Sequence, residues 1–389
     1  MNKIYLDYAS STPVDPIVLK EMLPYFDKEY ANPSSIHELG RNSFDAIENA
    51  REKTSDLISS EPDEIIFTSG GTESDNLAIQ GISFKNKEKK QTNGYNIITS
   101  DIEHPAVLET CKEMENIGFS VRYLPVDKYG FVDLKELKEA ISKDTFLITI
   151  MFANNEIGTI EPVEKIGKIA REHGIPFHTD AVQAIGKVPI DVNKLNIDIL
   201  SISSHKIYGP KGCGALYLRK GVKINPIQHG GGHERGLRSS TYNTPGIVGL
   251  GKACELAKKR MNEDVKHMKN LRDKLIKNVL EIKQSYLNGH PEKRLANNAH
   301  FRFDAIEGES LNMMLNDKGI ASATGSACSS QKLQASHVLT GIGLKPEEAH
   351  GSLRLSLGRN TKKEEIEYTI EVLPGIVKKL REMSPLWDN

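Results

Sequence analysis

Lys206 closes an apolar run, "DILSISSHKIYGPKG" (198–212), where a solvated lysine is out of place. Four other apolar runs also end on groups able to do chemistry. "TSGGTESDN" (68–76) carries Gly70, Gly71 and Thr72, and "DIEHPAV" (101–107) carries His104. "FANNEIG" (152–158) carries Asn154 and Asn155, and "TDAVQAIG" (179–186) carries Asp180 and Gln183. Each has an ordinary structural reading, as a glycine turn, a loop histidine or a capped strand end. Together they match one cofactor. Pyridoxal phosphate needs a lysine for its aldehyde and a carboxylate against its pyridinium nitrogen. It also needs a phosphate cup, and backbone N–H groups at a helix start supply one. Lys206, Asp180 and the Gly71–Thr72 turn fill those roles, and His104 can lie on the ring face.

The elements that must position these residues are short apolar runs at 64–69, 95–100, 119–126, 146–151, 175–180, 198–203 and 213–218. Helical patterns separate most of them. That alternation predicts an α/β fold with a largely parallel sheet, whose ligands gather at the carboxyl ends of strands. Thr72 and Asp75 have the spacing of a helix-capping pair. Ala257, Met261, Val265, Met268, Leu271, Leu275, Val279 and Ile282 recur at helical intervals and predict one long helix over 251–282. It could link a large domain to a C-terminal one.

The 389 residues suffice for two domains, and a net charge of −1 gives no nucleic-acid footprint. The basic run 85–90 reads as a solvated loop. No membrane span or signal peptide opens the chain, so a reducing, cytoplasmic setting with free thiols is expected. Of the four cysteines, Cys111, Cys213 and Cys254 lie in apolar patterns and read as small core residues. Cys328 lies in "SATGSACSSQKLQ" (322–334), a small and polar stretch with little to bury it.

Eleven segments in order carry a resemblance: "YLDYASSTPVDP", "NPSSIHELG", "FTSGGTESDNLAI", "EHPAV", "NNEIGTI", "HTDAVQAIGK", "SSHKIYGPKGCGALY", "GGGHERGLRSSTYN", "EGES", "GSACSS" and "LRLSLGR". By these the chain resembles, nearly end to end, the cysteine desulfurases of iron–sulfur cluster assembly. They form a group of class V aminotransferases with the fold type I architecture. The resemblance implies a large cofactor-binding domain over 15–257. It implies a small domain from 1–14 and 258–389 that carries a cysteine loop at about 322–336. It implies that Lys206 holds the cofactor, Asp180 pairs with the ring nitrogen, Gln183 bonds the phenolic oxygen and His104 stacks on the ring and shuttles protons. Gly71, Thr72, Ser203 and His205 would hold the phosphate, joined by Thr241 from the second subunit of a homodimer. Asn155 and Arg354 would take the carboxylate of L-cysteine; a planar guanidinium suits that task. Cys328 would be the mobile nucleophile that accepts sulfur as a persulfide and passes it to a scaffold or acceptor thiol, for cluster assembly or tRNA thiolation. It is also the residue that could ligate a cluster.

Other readings stand beside this one. Selenocysteine lyase or sulfinate desulfinase chemistry would suit a shorter cysteine loop, and a simple aminotransferase gives Cys328 no role. His229 and His233 have a metal-like H-x3-H spacing. The three glycines between them do not favour a helix, and no third ligand lies nearby in sequence.

Overall fold

The runs IIFT, IITS, LIT, FHTD and ILSIS are rich in β-branched residues and buried along their whole length. Strands apolar on both faces must be covered on both faces, which is the doubly wound arrangement. The computed structural model describes residues 3–89, 94–324 and 335–387. Among them, seven strands form the central sheet: β1 (Ile65–Thr68), β2 (Ile97–Ser100), β3 (Val121–Leu124), β4 (Leu147–Thr149), β5 (Phe177–Asp180), β6 (Ile199–Ser203) and β7 (Gly214–Leu218). Their order is β1-β7-β6-β5-β4-β2-β3. Only β7 runs antiparallel to its neighbours, so the sheet is mixed and mostly parallel.

One face packs on the helices Glu38–Ile58, Val163–Glu172 and the first half of Thr244–Val279, through Ile47, Ile58, Ile166, Leu200 and Leu250. The other packs on Gly71–Lys85 and Pro105–Asn116, through Leu77, Ile82, Val107 and Leu216. Each fully buried leucine or isoleucine contributes on the order of 1.5–3 kcal/mol. A separate apolar cluster gathers Ile4, Leu6, the second half of Thr244–Val279 and the strands Asn298–Phe303 and Ser352–Ser356. Ser352–Ser356 pairs antiparallel with Asn298–Phe303, which places Arg354 opposite His300.

Helix Thr244–Val279 runs through both clusters, and one turn also ties them together. Asn298 Nδ2 donates to the Glu156 carbonyl at 2.9 Å, and Arg294 Nη2 donates to the Ile157 carbonyl at 3.0 Å. The turn carrying Asn155 is thereby fixed to the strand beside Arg354.

Three local expectations change. The long helix starts at Thr244, seven residues before the predicted start at 251, with Pro245 in its first turn and Asn243 as cap. The glycines of "TPGIVGLG" hide that start. Thr72 does not cap its helix: Gly70 does, at φ 155°, and Thr72 lies within the first turn. Only glycine tolerates that backbone readily. The basic run 85–90 is not all loop, since Lys85 ends a helix and Lys87–Lys89 form a 3-10 turn.

Candidate active site

The carboxyl ends of β1, β2, β4, β5 and β6 open onto one cavity of about 480 Å³. Its walls include Gly71, Thr72, His104, Asn155, Asp180, Gln183, Ser203, His205, Lys206 and Arg354. Ten residues singled out from the sequence therefore share one space, within the size range of small-molecule sites. Thr241 does not join them in this chain; it is exposed beside a separate cleft lined by Ser69, Glu234 and Arg238. Cys328 lies outside the described residues. The described chain before it reaches the site at Ala323, whose carbonyl accepts the Arg354 N–H at 2.7 Å. The chain after it does so at Ser336, whose hydroxyl donates to Glu156 at 2.6 Å.

Lys206 ends the 3-10 turn Ser204–Lys206 that comes after β6. Its Nζ donates to the carbonyls of Ala9 at 2.6 Å and Ser10 at 2.8 Å. Gln183 Nε2 donates to the same Ala9 carbonyl at 3.0 Å. Asp180 ends β5, buried, and accepts the Val182 N–H at 2.9 Å. Burial raises its pKa, while His104 and Lys206 pull it back. A protonated pyridine nitrogen would give this carboxylate a charge-assisted partner and relieve that penalty.

His104 caps the helix Pro105–Asn116, because its Nδ1 accepts the Ala106 N–H at 3.1 Å. A ring that accepts at Nδ1 carries its proton at Nε2. Burial lowers the His104 pKa; Asp180 acts against this and Lys206 adds to it. The ring is therefore neutral near pH 7.

The residues expected to hold a phosphate line one cavity together: Gly71, Thr72, Ser203 and His205. Gly71 opens a helix of 15 residues. A Cβ on Gly71 would fall 2.7 Å from Val182 Cγ2, so glycine keeps this corner of the cavity open. Backbone N–H groups there and the hydroxyls of Thr72 and Ser203 suit an anion. His205 Nδ1 lies 3.2 Å from Ser11 Oγ. Its pKa is pushed down to about 4 by burial and by Lys206, Lys211 and Lys187. These residues fit pyridoxal phosphate.

At the opposite end, Arg354 Nη1 donates to the Asn155 carbonyl at 3.1 Å. Its Nη2 donates to Asp7 Oδ1 at 3.0 Å and to Ser10 Oγ at 2.9 Å. Asp7, Ala9 and Ser10 carry no role readable from the sequence, although they lie in "YLDYASSTPVDP". Asp75, Glu156 and His337 also line the cavity. The one available signal was the run of small residues Ala9, Ser10 and Ser11, which permits close approach of backbone to a ligand.

Behind the wall, Glu103 is buried and accepts from Ser100 Oγ at 2.6 Å and from the Met151 N–H at 2.9 Å. Burial, with smaller effects from Asp180 and Asp101, raises its pKa to about 8. The folded state thus keeps a proton that the unfolded chain loses near the ordinary glutamate value of 4.5. The associated stability is complete below that value and is lost as pH rises to about 8. Glu103→Gln, which mimics the protonated acid, should match the parent near the low end of this window. Its advantage should grow with pH by about 1.4 kcal/mol per unit. Denaturation with urea across the window checks this, and a gap that does not widen would contradict a protonated Glu103.

The comparisons with known proteins agree with this geometry. The family model described as aminotransferase class-V matches residues 4–369. The chain is 58% identical over 383 residues to the cysteine desulfurase IscS of Methanosarcina thermophila, covering 98% of this chain and 94% of that one. It is 53% identical over 393 residues to the cysteine desulfurase IscS of Clostridium botulinum, covering 100% and 98%. A solved NifS-like protein superposes with a TM-score of 0.90 at 40% identity, covering 97% of this chain and 100% of that one. A structure described as SspA in complex with cysteine gives a TM-score of 0.80 at 40% identity, covering 92% and 100%. The α/β sheet, the cavity at its strand ends and these likenesses agree: the chain belongs to the class V aminotransferase family, which is pyridoxal-phosphate-dependent, in its cysteine desulfurase branch.

Proposed function

We propose that the chain converts L-cysteine and the Cys328 thiol into L-alanine and a Cys328 persulfide, with pyridoxal phosphate as cofactor. The observation that carries this reading is the shared cavity of Lys206, Asp180, His104 and Arg354. Lys206 would bind the cofactor aldehyde, Asp180 its ring nitrogen and Gln183 its phenolic oxygen. Gly71, Thr72, Ser203 and His205 would hold the phosphate. Once bound, the cofactor supplies an electron sink for the substrate's α-carbon.

Each side chain then has a task. Arg354 and Asn155 hold the substrate carboxylate, which fixes the direction in which the sulfur points. Lys206 removes the α-proton. His104, neutral and protonated at Nε2, moves a proton near the substrate sulfur. The Cys328 thiolate attacks that sulfur, the carbon–sulfur bond breaks, and the carbon side gains the electron pair and a proton to become alanine. The persulfide is then handed to the thiol of an acceptor or scaffold protein, for cluster assembly or tRNA thiolation. Residues 15–257 serve as the cofactor-binding domain; 1–14 and 258–389 form the domain that presents Cys328.

A homodimer completes the site by bringing Thr241 of a second copy to the phosphate. Large apolar residues crowd the surface between Pro16 and Phe44, with Phe26 62%, Tyr30 71% and Ile36 93% exposed. Such a patch favours a protein contact, and a second copy would cover it.

The test uses L-cysteine as sole substrate with the purified holoenzyme and no reducing thiol. One alanine per chain should form in the first turnover, together with one persulfide on Cys328 located by mass spectrometry. Pyruvate in place of alanine, or sulfur on another cysteine, would refute the reading.

A further inference from the structure

The N-terminal segment enters the cavity beside Ser352–Ser356. The Leu6 carbonyl accepts the Ser356 N–H at 2.8 Å, and Asp7 forms a parallel bridge with Ser356. Asp7 then turns its carboxylate onto Arg354. Oδ1 accepts from Arg354 Nη2 at 3.0 Å and from the Ser10 hydroxyl at 2.8 Å. Ser10 Oγ in turn accepts from the same Nη2 at 2.9 Å. The far corner of the guanidinium is tied to the Asn155 carbonyl through Nη1. The Arg354 residue is only 3% exposed, and its Nε has no hydrogen-bond partner although buried.

A guanidinium carries five N–H groups in a rigid plane. Clamped through Nη2 by Asp7 and Ser10 and through Nη1 by Asn155, it cannot rotate about its long axis. Its remaining donors are thereby fixed in direction, and the side chain lines the cavity. Long side chains otherwise lose rotamer entropy on forming such a contact. An anchor set in advance spares the substrate that cost.

We propose that Asp7 is a positioning residue for substrate recognition: with Ser10 it holds Arg354 in the orientation that receives the α-carboxylate of the amino-acid substrate. This rests on the carboxylate-binding role given to Arg354 above. Asp7 acts through its acceptor oxygens. Its negative charge is no help to an incoming carboxylate, since like charges repel. Two variants should therefore differ. Asp7→Asn keeps an acceptor oxygen and loses the repulsion, and should bind L-cysteine as well as the parent or better. Asp7→Ala frees the guanidinium, and should weaken L-cysteine by up to roughly tenfold, the scale of ordering one long side chain on binding.

The experiment titrates holoenzyme with L-cysteine and, separately, with cysteamine, which has the amine and thiol but no carboxylate. Binding is read from the change in cofactor absorbance, in a Cys328→Ser background that prevents turnover. The ratio of the two dissociation constants cancels any loss of folded or loaded protein. Asp7→Ala should shift the ratio toward cysteamine by that factor, and Asp7→Asn should not. Equal weakening of both ligands, or an unchanged ratio in Asp7→Ala, would overturn the positioning role. Arg354→Met separates the two layers. If it leaves the ratio unchanged, the carboxylate role of Arg354 fails. If it shifts the ratio while Asp7→Ala does not, Arg354 stands and the role of Asp7 falls.

Discussion

Lys206→Ala should abolish turnover of L-cysteine and remove the visible absorbance that a lysine-bound cofactor gives. Among the described residues, Lys206 is the one lysine lining the cavity. Its nearest substitute is Lys187, whose Nζ donates to the carbonyls of Gln183 at 3.1 Å and Lys206 at 3.4 Å. Lys187 does not line that cavity, so it cannot take over the cofactor even though burial and Lys206 push its pKa down to about 7. The variant loses both the covalent anchor and the base for the α-proton. Loss of the base alone is worth about 10²–10⁴ in rate, so a fall of roughly 10⁴-fold or more is expected. Borohydride reduction provides an independent reading. It should fix the cofactor's mass on the parent chain at Lys206 and on no residue of the variant. Parent-like turnover in Lys206→Ala would remove the lysine from the mechanism.

Cys328→Ser should show the opposite combination: normal cofactor absorbance and normal spectral response to L-cysteine, with sulfur transfer at background. The other three cysteines cannot compensate. Cys111, Cys213 and Cys254 are buried. Burial pushes the thiols of Cys111 and Cys213 far above their ordinary value and that of Cys254 up to about 12. None is a thiolate at neutral pH, and the thiolate is the nucleophile. A serine hydroxyl has no comparable tendency to capture sulfur. Sulfide release at the parent rate, measured with a reducing thiol present, would show that Cys328 is not the acceptor.

Most of the cavity's lining at the strand ends was legible in the sequence. In a parallel sheet the apolar run marks the strand and the next residues mark its carboxyl end. The residues just past each run therefore point to Gly71, His104, Asn155, Asp180 and Lys206 without tertiary information. The contacts around Arg354 were less legible. Asp7 and Arg354 are 347 residues apart and meet only because Leu6 pairs with Ser356. No local pattern encodes that contact. Glycine obscured two helix starts for a related reason: it weakens the periodic signal at Thr244 and moves the cap from Thr72 to Gly70. The packing of neighbouring elements, which propensity does not see, decided both.

The helix cap at His104 has a consequence for the traffic of hydrogen. With Nδ1 committed to the Ala106 N–H, the ring has one working port, Nε2. A two-ended imidazole can take a proton on one side and release it to solvent on the other. A one-ended imidazole whose proton already sits at Nε2 must first give that proton to the chamber before it can take one back there. Whatever group faces that port therefore meets a hydrogen-bond donor, and it meets a base only after the ring has given its proton up.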